Sequence, residues 1–237
     1  MKMLLLLMCF SLLPLLAFGE VNIETQDLQF EYGLAYHTLR GKQNSNNSTG
    51  RLTSDQYPFW LGSYTFRTSQ ATALRFFGGV QFVRFNEPKF GTLISEKQEL
   101  VQYGMEFIRK LGPIAKLGLF GMKQDHPLYF AQDPTHFKVI RESFAQAGAH
   151  LSWSQRRRIG LLWGVGLKGW VLFPVHGGNV ITETGGGGEG YLRLGWVGPL
   201  GTMYHLKGFY QVSSAPNADA VFTHEVLGYS LNVQFSF

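Results

Sequence analysis

Taken at every second position, the stretch LGYSLNVQFSF (227–237) reads Leu227, Tyr229, Leu231, Val233, Phe235 and Phe237, with Gly228, Ser230, Asn232, Gln234 and Ser236 between them. Side chains of an extended strand point alternately to two faces, so the segment predicts a strand with one apolar and one polar or glycine face. The same period recurs along the chain. DLQFEYGLAYHTLR sets Leu28, Phe30, Tyr32, Leu34 and Tyr36 against Gln29, Glu31, Gly33, Ala35 and His37. YPFWLGSYTFR places Trp60, Tyr64 and Phe66 together, and ALRFFGGVQFVRF sets Leu74, Phe76, Val80 and Phe82 against Arg75, Phe77, Gly79 and Gln81. ELVQYGMEFIRK divides Val101, Tyr103, Met105 and Phe107 from Gln102, Gly104 and Glu106.

The second half repeats the scheme. IAKLGLFGMKQ alternates less cleanly, with Leu117 and Leu119 opposite Lys116 and Gly118. SFAQAGAHLSW opposes Ala145, Ala147, Ala149, Leu151 and Trp153 to Gln146, Gly148, His150 and Ser152. IGLLWGVGLKGWVLF opposes Ile159, Leu161, Trp163, Val165, Leu167 and Val171 to Gly164, Gly166, Lys168 and Trp170. GYLRLGWVG turns Leu192, Leu194 and Trp196 away from Arg193; TMYHLKGFYQV turns Tyr204, Leu206, Tyr210 and Val212 away from His205, Lys207 and Gln211. With the closing segment this makes ten strands, favoured over eight or twelve, and an even number lets an antiparallel meander close with both termini on one side.

Connection lengths alternate too. TSQAT, KLGP, SQRRR and GPLG are tight, whereas GKQNSNNSTGRLTSDQ, NEPKFGTLISEKQ, DHPLYFAQDPTHFKVIRE, PVHGGNVITETGGGGE and SSAPNADAVFTHE are long and polar or glycine-rich. Short turns on one rim and long loops on the other are the periplasmic and extracellular ends of an outer-membrane barrel. Hydrocarbon offers no partner to an open sheet edge, so the sheet must close, with its apolar face outward. The fold expected is all-β: a closed antiparallel up-and-down transmembrane barrel. Outward aromatics then sort by depth. Phe66, Phe76, Phe107, Trp153, Trp196, Tyr204 and Phe237 fall at the short-turn ends of their strands, as a periplasmic girdle. Tyr36, Trp60, Phe82, Phe173 and Tyr210 fall toward the other rim, and Trp163 sits mid-strand outside the pattern. Interfacial girdles of this kind flank membrane spans.

Composition agrees with this placement. Charged residues make up 16% of the chain, while glycine (29) and phenylalanine (20) are abundant; soluble domains average about 25% charged. MKMLLLLMCFSLLPLLAFGE has the basic start, apolar core and small-residue site of an export signal, which assigns 1–19 to a cleaved signal peptide and 20–237 to a single barrel domain. Cys9, the single cysteine, lies within that signal, so the mature chain has no thiol chemistry. Without Lys2 there remain 20 basic and 16 acidic residues, a balance of +4, which together with export argues against a nucleic-acid partner.

On YSLNVQFSF, alternating and aromatic at its last residue, the chain resembles the Gram-negative outer-membrane β-barrel superfamily, whose C-terminal recognition strand has this form. The resemblance implies delivery to the barrel-assembly machinery and contact with outer-membrane lipid and lipopolysaccharide. It identifies a compartment and no specific activity.

The inward set comprises Glu31, Arg75, Gln102, Glu106, Lys116, His150, Lys168, Arg193, His205 and Lys207, five basic residues against two acidic with histidines neutral. Buried charges are costly unless paired, so a hydrogen-bonded ion-pair network is the expectation, with Phe77, Phe120, Trp170 and Phe209 narrowing the bore. The biology then falls to the long loops, as a structural or surface-interaction role. The alternatives are a narrow channel with weak anion preference, or a hydrolase using rim residues such as Asp125, His126, Asp133, His136, His176, Asp219 and His224. Ten-stranded omptin proteases use rim Asp and His residues, but their paired acids and Asp-x-His pattern are absent. No motif asks for a cofactor or metal, no residue is assigned as catalytic, and the oligomeric state is left open. GGGGEG (185–190) lacks the lysine and helix of a phosphate loop and is expected to be a flexible surface loop.

Overall fold

A computed structural model describes residues 26–43, 49–86, 92–94, 97–131, 136–156, 160–175, 183–198, 202–217 and 220–236. The signal segment and Phe237 lie outside the described residues. Ten strands form the wall: β1 (Gln26–Gln43), β3 (Tyr57–Arg67), β4 (Thr72–Val83), β6 (Gln98–Lys110), β7 (Ala115–Ala131), β8 (His136–Arg156), β9 (Leu161–Pro174), β10 (Gly185–Val197), β11 (Met203–Pro216) and β12 (Ala220–Ser236). Neighbours pair antiparallel in chain order, and β12 closes on β1 from Asp27↔Ser236 to Gln43↔Ala220. The ten expected strands and the closing seam are the ones observed.

Strand register sets the size of the barrel. Following paired residues from Leu28 through Tyr64, Phe76, Met105, Gly121, Ala147, Val171, Gly186, Ser214 and Thr223 returns to β1 at Arg40, twelve residues further along. That shear on ten strands corresponds to a tilt of roughly 40°. All of these positions point outward, so one circuit fixes the parity of the whole wall.

Two additions stand above the wall at the long-loop end. β2 (Thr49–Thr53) folds back on β1, and β5 (Thr92–Ile94) runs parallel to the start of β8. Here the loop expectations need correction. DHPLYFAQDPTHFKVIRE is mostly strand: β7 continues to Ala131 and β8 begins at His136. GGGGEG is not a surface loop but the first six residues of β10, paired to β9 and β11. A run of glycines carries no alternation signal, which hid this strand. β9 starts at Leu161, so Trp163 is its third residue, near the short-turn end, outward and opposite Leu194.

The polarity of the two faces inverts along single strands without a slip of register. In β12 the lower outward positions are Leu227, Tyr229, Leu231, Val233 and Phe235, with Gly228, Ser230, Asn232 and Gln234 inward. Above them Thr223 and Glu225 face out, while Phe222, His224 and Val226 are buried inside. The lower barrel is arranged for lipid, and the upper part like a soluble protein.

Candidate functional site

The lower lumen holds a cavity of about 160 Å³ lined by charged and polar side chains together with aromatic ones. Its centre is Glu106 of β6, whose side chain is 2% exposed and pairs with Arg75 on one side and with His150 Nδ1 at 2.8 Å on the other. His150 Nε2 lies 2.8 Å from the Tyr191 hydroxyl. With the carboxylate accepting from Nδ1–H, Nε2 is left to accept the tyrosine proton. Lys207 lies 4.9 Å from the centroid of the Phe209 ring and 5.2 Å from that of Tyr191, and pairs with Glu31 at 3.7 Å and Glu189 at 3.3 Å. Lys168 reaches Glu189 at 3.4 Å. Across the β1–β12 seam, Ser230 donates to Glu31 at 2.7 Å, Asn232 to Ser230 at 3.2 Å, and Gln29 to Asn232 at 2.6 Å.

Nine of the ten residues read as lumen-lining stand on this cavity wall: Glu31, Arg75, Gln102, Glu106, His150, Lys168, Arg193, His205 and Lys207. Lys116 is exposed, below the cavity at the short-turn mouth. Glu189 was missed, because it sits within the glycine run read as a loop; with it the acids on the cavity wall number three. Of the short-turn aromatics, Trp196 stacks on Tyr204 at 5.5 Å, and Phe66 makes an edge contact with Phe76 at 5.7 Å. Phe107 is outward beside Leu74, and Trp153 pairs with Ala115.

Above the cavity the interior is packed with apolar side chains. Phe120, Leu128, Phe144, Trp170, Leu172 and Phe222 form a buried apolar cluster drawn from β7, β8, β9 and β12. A second cluster, including Leu39, Leu52, Val83 and Leu93, packs beneath β2 and β5. Opposite walls meet here, since β7 packs against both β1 and β12. At the meeting point His37 Nδ1 and His224 Nε2 are 2.9 Å apart, and His126 from the far wall sets its ring edge-on to His224 at 5.9 Å. All three are buried. Their layer lies above the apolar outer band, for its outward neighbours are Arg40 paired to Glu225, and Arg141 beside Asp125. Burial pushes His37 down to about 3 and His126 to about 4, and His224 falls well below its usual value for the same reason, so all three are neutral.

Of the rim residues named for a hydrolase, His126 and His224 are in ring contact, with centroids 5.9 Å apart. Asp125 faces outward and accepts from Ser143 at 2.6 Å, while His126 faces inward. The void beside His126 and His224 is about 10 Å³, room for one water at most. His136 lies at the start of β8, and Asp133, His176 and Asp219 lie outside the described residues. Among the described residues no group of three His, Cys, Asp or Glu side chains is placed to hold a metal ion.

A closed, tilted ten-stranded barrel with an apolar outer band and a polar lumen is the architecture of outer-membrane β-barrel proteins. The chain is similar in fold to the outer membrane protease OmpT of Escherichia coli, with a TM-score of 0.60 and 8% identity over 93% of this chain and 99% of that one. The translocator domain of the autotransporter NalP from Neisseria meningitidis matches at a TM-score of 0.45 and 11% identity, over 89% of each chain. No protein-family model matches the sequence. No curated protein matches it either.

Proposed function

We propose that this chain is an outer-membrane barrel of structural or surface-interaction function, a plugged scaffold that presents its extracellular loops. The observation that carries this reading is the meeting of opposite walls at His126 and His224 above a bore filled by Phe144, Trp170 and Phe222. A wall pinned to itself at that level supports rigid loop display better than solute passage. In this reading the outward aliphatic and aromatic band contacts lipid, and Arg40, Lys42 and Arg141 above it face the lipopolysaccharide leaflet. The export signal delivers the chain, and the C-terminal strand presents it to the barrel-assembly machinery.

Loop deletion tests the reading. Removing 44–48 or 176–182 should leave a barrel whose gel migration still changes on boiling, while attachment of cells displaying the protein to surfaces or to other cells drops. A wild-type preparation giving steady unitary conductance in planar bilayers would overturn it in favour of a channel.

A further inference from the structure

The charges of the lumen are not evenly matched. Arg75 pairs with Glu106, Lys168 with Glu189, and Lys207 with Glu189 and Glu31. Among the described residues Arg193 has no carboxylate within ion-pair distance, although it lines the cavity. It lies over Gly164, where an added Cβ would be 2.7 Å from its Nε. His205 lines the same cavity as Arg193, and Lys116 stands on the inward face of β7 at its short-turn mouth, in register with the buried Ser152. His205 is 8% exposed, and its Nδ1 has no hydrogen-bond partner. Lys110 and Arg67 add to the positive field around Lys116. The opposing acid there, Asp27, is already engaged by Ser236 at 2.6 Å and Arg67 at 3.9 Å.

Like charges gathered in a lumen and at its mouth without a counter-ion are costly, and a bound anion offsets that cost. We propose that the periplasmic half of the lumen is a binding site for a small soluble oxyanion of the phosphate type, held by Arg193, Lys116 and His205. A guanidinium presents parallel N–H donors that match two oxygens of such an anion, and an ammonium adds a point charge. The cavity, at about 160 Å³, has the space of roughly five liquid waters. That is room for a phosphate with part of its hydration shell. Entry is from the periplasmic mouth, where Lys116 and Lys110 are exposed; the apolar cluster seals the other end. The site thus binds without conducting, which separates it from the anion-channel alternative.

The test is a calorimetric titration of the refolded chain, in a sugar detergent free of phosphate, with inorganic phosphate. Saturable binding is expected, weakened by roughly tenfold or more in Arg193→Gln and in Lys116→Gln, the loss of one charge-assisted contact. Arg193→Lys should keep part of the affinity, and Arg40→Gln on the extracellular face should keep all of it. Boiling-dependent gel migration certifies that each variant is folded. No saturable binding by the wild type, or undiminished binding by folded Arg193→Gln, overturns the proposal.

Discussion

His37 and His224 stack face to face across the seam that closes the barrel, ring centroids 5.1 Å apart and planes within 16° of parallel. Two imidazoles can lie this way when both are uncharged. His37 Nε2 and His224 Nδ1 have no protein partner, so a proton added to either would place a buried charge among three imidazoles.

That arrangement makes the cap acid-sensitive. The three histidines have folded pKa values below the unfolded value, His37 at about 3 and His126 at about 4. The unfolded chain therefore binds more protons as pH falls, and their stabilising effect is complete above the unfolded pKa and lost as pH drops through it toward the folded values. Unfolding by urea, followed from about pH 7.5 to pH 4.5, should show stability falling below pH 6 by about 1.4 kcal/mol per unit for each histidine. His126→Gln should flatten the slope. A midpoint unchanged over that range would count against neutral, buried imidazoles.

Glu106 offers a second test. Its carboxylate is the shared partner of Arg75 and His150, so Glu106→Gln leaves a guanidinium in the lumen without compensation. Removing one member of a buried pair costs about 3–5 kcal/mol. Arg75→Gln in the same chain should recover part of that loss. A Glu106→Gln variant as stable as the wild type by urea unfolding would mean that water, and not Glu106, compensates the charge of Arg75.

The wall was legible in the sequence because alternation survives wherever one face meets lipid, as Leu227 to Phe235 show against Gly228 to Gln234. The cap was not. Above the membrane the apolar face turns inward, so Phe222 and Leu128 fell in segments read as loops. Pairing was equally hidden: nothing in the sequence brings His126 to His224 across the bore. Glu189 was lost because Gly185 to Gly188, which precede it, have no side chains to alternate.

Gly166 tests how the lumen is filled. It faces inward from β9, opposite Tyr191, and a methyl there would overlap the tyrosine ring. The ring would have to move, giving up its contact with His150 Nε2 at 2.8 Å. Overpacking of this kind costs about 1–3 kcal/mol. Gly166→Ala combined with Tyr191→Ser should cost less than the sum of the two single changes, as expected for residues in direct contact. Strict additivity in a double-mutant cycle would show that Tyr191 has another position to occupy.

Wetting the cap tests whether it closes the bore. Leu172 and Phe222 are 1% and 7% exposed, in the cluster that separates the cavity from the outer surface. Replacing both with serine keeps the strands and puts hydroxyls where the walls meet, a change that favours water in a space previously dry. In planar bilayers the wild type is expected to give no steady unitary conductance, whereas Leu172→Ser with Phe222→Ser should give brief openings of small size. Boiling-dependent migration must first show the variant is folded, since each truncation removes buried apolar contact worth about 2–5 kcal/mol. If the folded variant stays as silent as the wild type, the ion pairs around Glu106 and Glu189 close the bore, and the apolar cap serves stability alone.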